Sequence, residues 1–506
     1  MPFNSYPYIG FLIVAVAAYL LAERFAPRAK PALLLLASYI FYAWWRVDFI
    51  VLLLGSTVVN YVFGKIITRR QAENVPTRAL LTAGLIFNLG LLGLFKYAGM
   101  VVGTANFFGA HLPIPQFFLP LAISFFTFEQ ISYLIDAANG RAPRYFFLDY
   151  ALFVSFFPHL IAGPIVRLND LIPQFHAGRT PAARDDDVAL GVTLFTIGLA
   201  KKTLIADNLA PFSDVVFAAA RHGAVDLSGA WLGPLFFVFQ VYFDFSAYTD
   251  MALGSSCMLG IRLPVNFNSP YQAASIIEFW RRWHMTLQRF IVDYLYAPLA
   301  LSLTRWAAVH RLGRWPGFFV SVAAPMMLVF FLVGLWHGAG WTFAVFGLMH
   351  GVYITINEAW RHIHKKRKKG ATPFKLPKIF ALALTFLAIL IADVMFRSTT
   401  FSAAWTMYAS MFGLASGPHA HVVSFTPLAA AAIVVLFGIV WLAPNSMRMT
   451  WRYRPALEEP PGSSTVESSD RWSWRPSAAN AIVTSVVCIA AMLALSNLSP
   501  FIYFQF

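Results

Sequence analysis

Long apolar stretches at both ends of the chain predict helices that cross a membrane. The first stretch covers residues 5–22 and carries no charged side chain. The others are residues 31–45, 49–64, 376–396, 425–443 and 478–495. Because one crossing takes roughly 20 apolar residues, a chain of this length has room for about 11–13 transmembrane helices. The sequence therefore predicts an all-α, polytopic integral membrane protein.

The middle of the chain has a different pattern, in which polar and helix-breaking residues interrupt the apolar runs. In residues 118–166 and 266–303, Pro, Gly, Asp and Arg recur at intervals too short for a continuous span. Non-helical backbone is tolerated at membrane depth only where protein buries it or where it lines a cavity. We therefore expect re-entrant or broken helices around an internal cavity. No inverted internal repeat that would favour a secondary transporter stands out.

These patterns divide the chain into three expected regions. Residues 1–110 should form N-terminal transmembrane helices, and residues 111–360 a core with re-entrant segments. Residues 361–506 should form C-terminal transmembrane helices with a cytoplasmic loop near residues 445–476. That loop is rich in Pro, Gly, Ser and acidic residues, which favours a flexible connection over a packed domain.

Composition supports the membrane assignment and excludes several classes of function. Hydrophobic residues make up 58% of the 506 residues and charged residues only 12%, which excludes a water-soluble enzyme. The net charge of +15 does not indicate nucleic-acid binding, because positive charge collects in the cytoplasmic loops of membrane proteins. Cys257 and Cys488 lie in apolar stretches, so we expect neither a disulfide framework nor a metal or redox site.

The distribution of basic residues predicts the orientation in the membrane. Residues 23–30, after the first stretch, are net basic, which places them in the cytoplasm and the N-terminus in the periplasm. Residues 65–78 are basic again, and residues 361–369 (RHIHKKRKK) form the densest basic run. We interpret these runs as topogenic loops rather than as lipid-binding sites. The first stretch lacks the basic start of a cleavable signal peptide, so we expect it to be retained.

Ionisable side chains inside apolar stretches are energetically costly, so they are candidates for function. In residues 157–167 (FPHLIAGPIVR), Pro and Gly break any helix around His159, and a structural kink explains this segment on its own. Residues 242–254 (YFDFSAYTDMALG) carry Asp244 and Asp250. Six positions apart, these carboxylates do not share one helical face, which disfavours an acid–base pair or a metal dyad.

Two further segments contain candidate histidines. In residues 278–299 (EFWRRWHMTLQRFIVDYLYAPL), an amphipathic helix along the membrane surface would explain every feature except His284. Residues 334–351 (GLWHGAGWTFAVFGLMHG) contain His337 and His350 without any Lys, Arg, Asp or Glu. A neutral imidazole can take a proton from a hydroxyl and return it, which suits acyl transfer. A core histidine without chemistry is the alternative, and the absence of a GxSxG motif disfavours a serine hydrolase.

Taken together and in this order, the segments resemble the membrane-bound O-acyltransferase (MBOAT) family. The matching blocks lie within about residues 150–355; they are FPHLIAGPIVR, YFDFSAYTDMALG, NFNSPY, FWRRWHMTLQRFIVDYLYAPL and GLWHGAGWTFAVFGLMHG. The terminal SPFIYFQF adds to the likeness. Within the family, the chain resembles the bacterial branch of alginate O-acetylation proteins and the related teichoic-acid D-alanyl transfer proteins. The resemblance implies the MBOAT fold, whose helices enclose a central tunnel.

The resemblance also implies substrates and roles. An acyl thioester donor such as acetyl-CoA would reach the tunnel from the cytoplasm, with the acceptor side facing out and no permanently bound cofactor. His337, in the pattern LWHG, corresponds to the family's essential histidine and would be the base that deprotonates the acceptor hydroxyl. His284, in RWH, corresponds to a second histidine that would orient or polarise the acyl group. His350 matches a family position with a weaker claim to chemistry.

The chain departs from the branch at two places. His159 stands where the branch usually has Gln, and TLQRFIVDYLY stands where it usually reads SLSTWLRDYLY. Both changes bear on the identity of the acceptor rather than on the class of reaction. A straight helix from about residue 318 would carry His337 about 28 Å along its axis, close to the outer face. A helix that starts later, tilts or ends before Trp336 would agree better with a tunnel.

Three hypotheses for function follow. The leading one is an inner-membrane O-acyltransferase that moves an acyl group, with acetyl favoured, across the membrane for O-acetylation of an exported polysaccharide. A periplasmic acetyltransferase partner is implied by the resemblance. The second is the same fold with a D-alanyl or longer acyl group and a teichoic-acid-like or lipid-linked acceptor. The third is a transporter or channel without covalent chemistry.

Overall fold

The computed structural model describes residues 1–143, 145–364, 376–415, 420, 422–459, 472–496 and 500–502. Over these residues the secondary structure is helical, apart from turns and two isolated β-bridges. The first eleven α-helices are α1 (Tyr6–Phe25), α2 (Lys30–Ala43), α3 (Asp48–Ala72), α4 (Arg78–Leu92), α5 (Ala98–Phe107), α6 (Ile123–Ala138), α7 (Phe147–Ser155), α8 (Leu168–Phe175), α9 (Pro181–Ala200), α10 (Asp207–Ala219) and α11 (Leu227–Met258). The others are α12 (Ile276–Trp280), α13 (Met285–Ile291), α14 (Ala297–Val309), α15 (Arg314–Phe318), α16 (Ala324–His337), α17 (Trp341–His364), α18 (Lys378–Arg397), α19 (Phe401–Met411), α20 (Pro427–Leu442), α21 (Ser446–Thr450) and α22 (Ala478–Leu493).

Seven helical segments of the described chain are long and apolar enough to cross a membrane. They are Tyr6–Phe25, Asp48–Ala72, Arg78–Phe107, Pro181–Ala219, Leu227–Met258, Arg314–His337 and Lys378–Arg397. An eighth results if the bent pair Pro427–Leu442 and Ser446–Tyr453 is one span. The predicted class, an all-α polytopic membrane protein, is confirmed. The count is below the predicted 11–13 because helices such as α2 and α22 are short and α17 is more polar.

The described residues pack into two compact units. The terminal unit comprises Met1–Thr203, Ser246–Val265 and the described residues from Ser446 onward. The central unit comprises Leu204–Phe245 and the described part of Asn266–Asn445. The three regions expected from the sequence, residues 1–110, 111–360 and 361–506, stay a prediction.

Glycines allow close helix crossings within each unit. In the central unit, α16 packs against α17, and a Cβ atom on Gly334 or Gly347 would collide with a backbone carbonyl of the other helix. In the terminal unit, a Cβ atom on Gly254 of α11 would lie 2.6 Å from the carbonyl oxygen of Gly191 in α9. Backbones that approach this closely leave no room for a side chain, so these positions require glycine.

The predicted breaks in the middle of the chain are present. Residues 276–296 form α12, α13 and a π-helical segment, Val292–Tyr296, instead of one continuous helix. Residues 156–163 form turns between α7 and α8. Another π-helical segment, Phe319–Ala323, precedes α16 within the span that ends at His337.

Parts of three sequence features lie outside the described residues. They are residues 365–369 of the basic run, residues 460–471 of the expected loop, and residues 499 and 503–506 of the terminal SPFIYFQF. At the described start of the expected loop, Ser446–Thr450 is helical and Thr450 is buried.

Candidate active site

His337 lies at the C-terminal end of α16, where the chain leaves the helix through an extended Gly338. Three aromatic rings surround the imidazole, with centroid distances of 5.1 Å to Trp336, 6.0 Å to Phe346 and 5.5 Å to Phe396. The residue is 8% exposed, so it neither faces outward nor is completely enclosed. The carbonyl end of a helix favours positive charge, which suits a ring that takes up a proton.

His284 lies at the break between α12 and α13 and begins α13 in the left-handed backbone conformation, with a φ of 44°. This conformation is uncommon for a residue with a Cβ atom, and such residues cluster at functional sites. The side chain is buried, with a residue exposure of 1%. The break explains why the continuous amphipathic helix considered from the sequence does not form here.

Asn266 fixes the orientation of the His284 ring. Its side-chain oxygen lies 2.9 Å from His284 Nδ1 and accepts a hydrogen bond of 2.9 Å from the Thr286 hydroxyl. The backbone N–H of Thr286 also points at this oxygen, at 3.4 Å, and an N–H can only donate. The group facing His284 is therefore the amide oxygen, so Nδ1 carries the hydrogen and donates it. The lone pair of the ring then lies on Nε2, which has no hydrogen-bond partner among the described residues.

Two candidate histidines converge on Trp336 in the central unit. The His284 ring lies 5.9 Å from the Trp336 ring, and His337 follows Trp336 directly in α16. His284 lies outside the seven spans, and burial together with the neighbouring His337 holds its pKa well below the usual value. Because a positive charge on one ring opposes a positive charge on the other, a proton on His337 further disfavours protonation of His284.

His350 has a packed environment that differs from these two sites. It is buried in α17, and its Nδ1 accepts a hydrogen bond of 3.3 Å from the Trp280 indole N–H. The rings of Phe346 and Trp280 lie 4.8 and 5.1 Å away. This environment is that of a core histidine, in line with its weaker claim to chemistry.

The two carboxylates singled out in α11 are buried, and the structure shows what Asp250 does. It binds the ammonium of Lys201 at 2.6 Å and accepts a hydrogen bond of 2.8 Å from Ser446. Asp250 thus neutralises a lysine within the terminal unit. Asp244 is 2% exposed and belongs to the part of α11 in the central unit.

Sequence reasoning missed two residues that contact candidate histidines. Asn266, the first residue of the NFNSPY block, holds His284. Glu129 contacts His159 at 3.2 Å in the terminal unit. Glu129 is a single acid in an apolar run, which is the same signal that drew attention to the histidines. Among the residues that the structure describes, no group of three or more His, Cys, Asp or Glu could hold a metal ion.

The fold and the site define a multi-pass membrane enzyme with buried imidazoles suited to acyl transfer. The sequence profile of the membrane-bound O-acyltransferase family matches residues 120–384. The chain belongs to this family and is an O-acyltransferase. The family resemblance seen in the ordered blocks is thereby confirmed.

Three relatives illustrate the range of the family. The chain is 40% identical to the peptidoglycan O-acetyltransferase of Helicobacter pylori over 81% of this chain and 80% of the relative. It is 37% identical to the probable alginate O-acetylase AlgI of Azotobacter vinelandii over 98% of both chains. It is 28% identical to the teichoic acid D-alanyltransferase of Bacillus subtilis over 53% of this chain and 65% of the relative.

Proposed function

We propose that the protein moves an acetyl group from a cytoplasmic thioester, such as acetyl-CoA, across the inner membrane for O-acetylation of an exported polysaccharide. Relatives named as O-acetylases or O-acetyltransferases match most of the chain at 37–40% identity. The D-alanyltransferase relative matches about half of it at 28%. Acetyl transfer to a glycan hydroxyl therefore has more support than D-alanyl transfer.

The observation that carries this proposal is the approach of two buried imidazoles to Trp336. One ring, His284, stays neutral, and the other, His337, lies at the carbonyl end of α16. An acyltransfer site needs a group that takes a proton from the acceptor hydroxyl as the hydroxyl oxygen attacks. Burial keeps that group away from water, which would otherwise hydrolyse the thioester.

We assign the base to His337. Its imidazole takes the proton of the acceptor hydroxyl while the oxygen attacks the thioester carbonyl carbon. The C–S bond then breaks, the thiolate takes the proton from the imidazolium, and the products are an O-acyl ester and a free thiol. The carbonyl end of α16 stabilises the positive charge that His337 carries between these steps.

His284 is assigned a positioning role toward the acceptor. Its Nδ1 hydrogen is engaged by Asn266, so Nε2 offers a lone pair and accepts a hydrogen bond. A nitrogen without hydrogen cannot donate to an acyl carbonyl oxygen. This geometry disfavours the role of polarising the acyl group that was expected from the resemblance, and we assign Nε2 instead to hold a hydroxyl of the acceptor.

The orientation and the partner complete the proposal. The basic segments after α1 and α3 favour a cytoplasmic location, which puts the N-terminus in the periplasm. The donor then arrives from the cytoplasm and the acceptor faces the periplasm. A periplasmic acetyltransferase would pass the acetyl group on to the polymer.

The test compares His337→Ala with His310→Ala in a strain that lacks the native gene. His310 is an exposed histidine that directly follows α14 in the same unit and serves as the matched control. We expect His337→Ala to lower O-acetyl ester in the exported polymer about a hundredfold or more, with unchanged protein in the membrane, and His310→Ala to have no effect. Membranes that retain the periplasmic partner, incubated with acetyl-CoA and the polymer, should release free thiol in the same ratios. Unchanged ester content in His337→Ala would exclude the assigned role.

A further inference from the structure

The terminal unit contains a second buried histidine with a carboxylate partner. Nδ1 of His159 lies 3.2 Å from Oε1 of Glu129 in α6, and the two side chains are 1% and 2% exposed. The Glu129 carboxylate also accepts the backbone N–H of Val166. The function proposed above uses neither His159 nor Glu129.

The backbone around His159 holds the ring in place. The N–H of His159 donates to the carbonyl of Phe156 at 3.1 Å, and the N–H of Gly163 donates to the carbonyl of His159 at 3.0 Å. A Cβ atom at position 163 would lie 2.8 Å from that same carbonyl oxygen, so the turn closes only with glycine there. A side chain held this firmly favours a defined site over an incidental contact.

Two buried polar atoms of the terminal unit lack a hydrogen-bond partner within the described chain: His159 Nε2 and the hydroxyl of Tyr150 in α7. Only His159 is placed against Glu129 by a measured contact, at 3.2 Å. Buried polar groups nearly always have a partner, supplied by protein, water or ligand. The unpartnered Nε2 of His159, a buried ring whose Nδ1 contacts Glu129, therefore indicates an occupant.

The number of protons that Glu129 and His159 carry determines whether an occupant must accept or donate a hydrogen bond. A lone carboxylate is far more costly to bury than a neutral pair, so Glu129 and His159 together carry no net charge. Whether the shared proton lies nearer Oε1 or Nδ1, a neutral pair keeps a hydrogen on Nε2. Burial, Tyr133 and Glu129 raise the pKa of Tyr150 well above its usual value, so the phenol keeps its hydrogen too. Both atoms without a partner are therefore donors.

We propose that Glu129 and His159 form a second polar site, which binds an uncharged oxygen atom through the His159 Nε2–H. Such an oxygen belongs either to a bound water molecule or to a carbonyl or hydroxyl group of the acyl-transfer substrates. The binding of a substrate group here rests on the proposed function, whereas the binding of a water molecule does not.

The chain offers a matched control for the pair. In the same unit, Nε2 of His176 lies 2.7 Å from Oδ1 of Asp149, but the His176 side chain is 57% exposed. Its second ring nitrogen can hydrogen-bond to solvent, so this pair needs no enclosed occupant. His176→Phe removes a histidine–carboxylate contact at an exposed ring.

The decisive experiment is electron cryomicroscopy of the full-length wild-type protein, with and without saturating acetyl-CoA, at a resolution that shows ordered water. We expect an oxygen-sized density about 3 Å from His159 Nε2. Density in both maps identifies water, and density only with acetyl-CoA identifies a substrate group. A site that is empty in both maps overturns the proposal, whatever the activity of the His337 variant.

Thiol release from acetyl-CoA separates the two sources further. Gln supplies two N–H donors, so His159→Gln can bind Glu129 and still donate to the occupant, whereas His159→Phe can do neither. For a substrate group we expect His159→Phe to lower turnover at least about tenfold, with His159→Gln and His176→Phe near wild type. For a water molecule all three variants stay near wild type. If His159→Gln fails as completely as His159→Phe while both accumulate in the membrane, donation to an occupant is not the function of this ring.

Discussion

Each unit buries a histidine whose Nδ1 contacts a side-chain oxygen, but the oxygen is neutral in one unit and belongs to a carboxyl group in the other. In the central unit His284 donates to the amide of Asn266. In the terminal unit His159 contacts the carboxyl of Glu129. The two rings are equally buried, at 1% exposure. The partner, and not the burial, therefore decides what the second ring nitrogen can do.

An amide partner leaves the imidazole neutral, with a lone pair on Nε2, which is an acceptor. A carboxyl partner that forms a neutral pair with the ring shares one proton with Nδ1 and leaves a hydrogen on Nε2, which is then a donor. The central unit thus presents a nitrogen that can hold a hydroxyl, and the terminal unit presents one that can hold an oxygen without hydrogen. Histidine thus accepts a hydrogen bond at one site and donates one at the other, depending on the side-chain oxygen that its Nδ1 contacts.

The largest expected effect comes from giving His284 of the central unit a carboxylate partner, such as His159 has in the terminal unit. Asn266→Asp places a carboxylate against Nδ1 of His284, which favours a proton on Nε2 and a positive ring beside His337. We expect turnover near neutral pH to fall about a hundredfold, about 2.7 kcal/mol in the activation barrier. Activity should recover partly as the pH is raised, because His284 then loses the added proton. Thiol release from acetyl-CoA across a pH series measures both effects.

Asn208→Asp is the control for this substitution, since Asn208 is an exposed residue of α10 in the same unit. It adds the same charge at a position that has no part in the proposed site. Turnover of Asn266→Asp equal to that of the control at every pH would show that the neutral partner of His284 is unimportant.

A second prediction compares the close helix crossings of the two units. Gly347→Ala inserts a methyl group between α17 and α16, the helix that ends at His337, and Gly254→Ala does the same between α11 and α9. Each should lower the free energy of unfolding by about 2 kcal/mol, because overpacking moves backbones apart. Only Gly347→Ala should also lower turnover of the folded protein, about tenfold, because the end of α16 shifts.

Thermal unfolding in detergent and thiol release from acetyl-CoA test this pair of substitutions. Gly438→Ala in α20 is the control, because a Cβ atom there has open space around it. Equal loss of turnover in Gly347→Ala and Gly254→Ala would mean that the crossing of α16 and α17 has no special effect on His337.

The sequence predicted the elements whose signal is local. Apolar stretches at residues 5–22, 49–64 and 376–396 correspond to α1, α3 and α18 within a few residues, apart from the longer C-terminal end of α3. The Gly-Ala-Gly break after His337 ends α16 as the pattern indicated. Hydropathy and helix breakers act over a few neighbouring residues, so one segment contains the whole signal.

The partners of the histidines could not be predicted in the same way. Asn266 precedes His284 by 18 residues, and Glu129 precedes His159 by 30. Such contacts depend on how separate segments pack, which periodicity does not record. The left-handed conformation of His284 is likewise set by its surroundings, since no glycine or proline marks that break. The roles of His337 and His284 stay predictions for the same reason.

The smallest expected effect is on stability at acid pH, and it follows from the depressed pKa of His284. An unfolded chain binds a proton at this residue as the pH falls below about 6.5, whereas the folded protein keeps the ring neutral. The free energy of unfolding should therefore fall by about 1.4 kcal/mol for each pH unit below that value, until the folded pKa is reached. His337 faces the ring and opposes its protonation in the folded state.

Melting temperatures at about pH 7.5 and about pH 5.5 measure this loss, which should be smaller in His284→Asn because the titrating group is gone. Asn tolerates the left-handed backbone at this position, so the turn can persist. The control is His310→Asn, the same substitution at an exposed histidine of the same unit. If His284→Asn loses as much stability on acidification as the wild type does, the ring at 284 is not held neutral by its surroundings. The difference between His284, which has an amide partner, and His159, which has a carboxyl partner, would then have no physical basis.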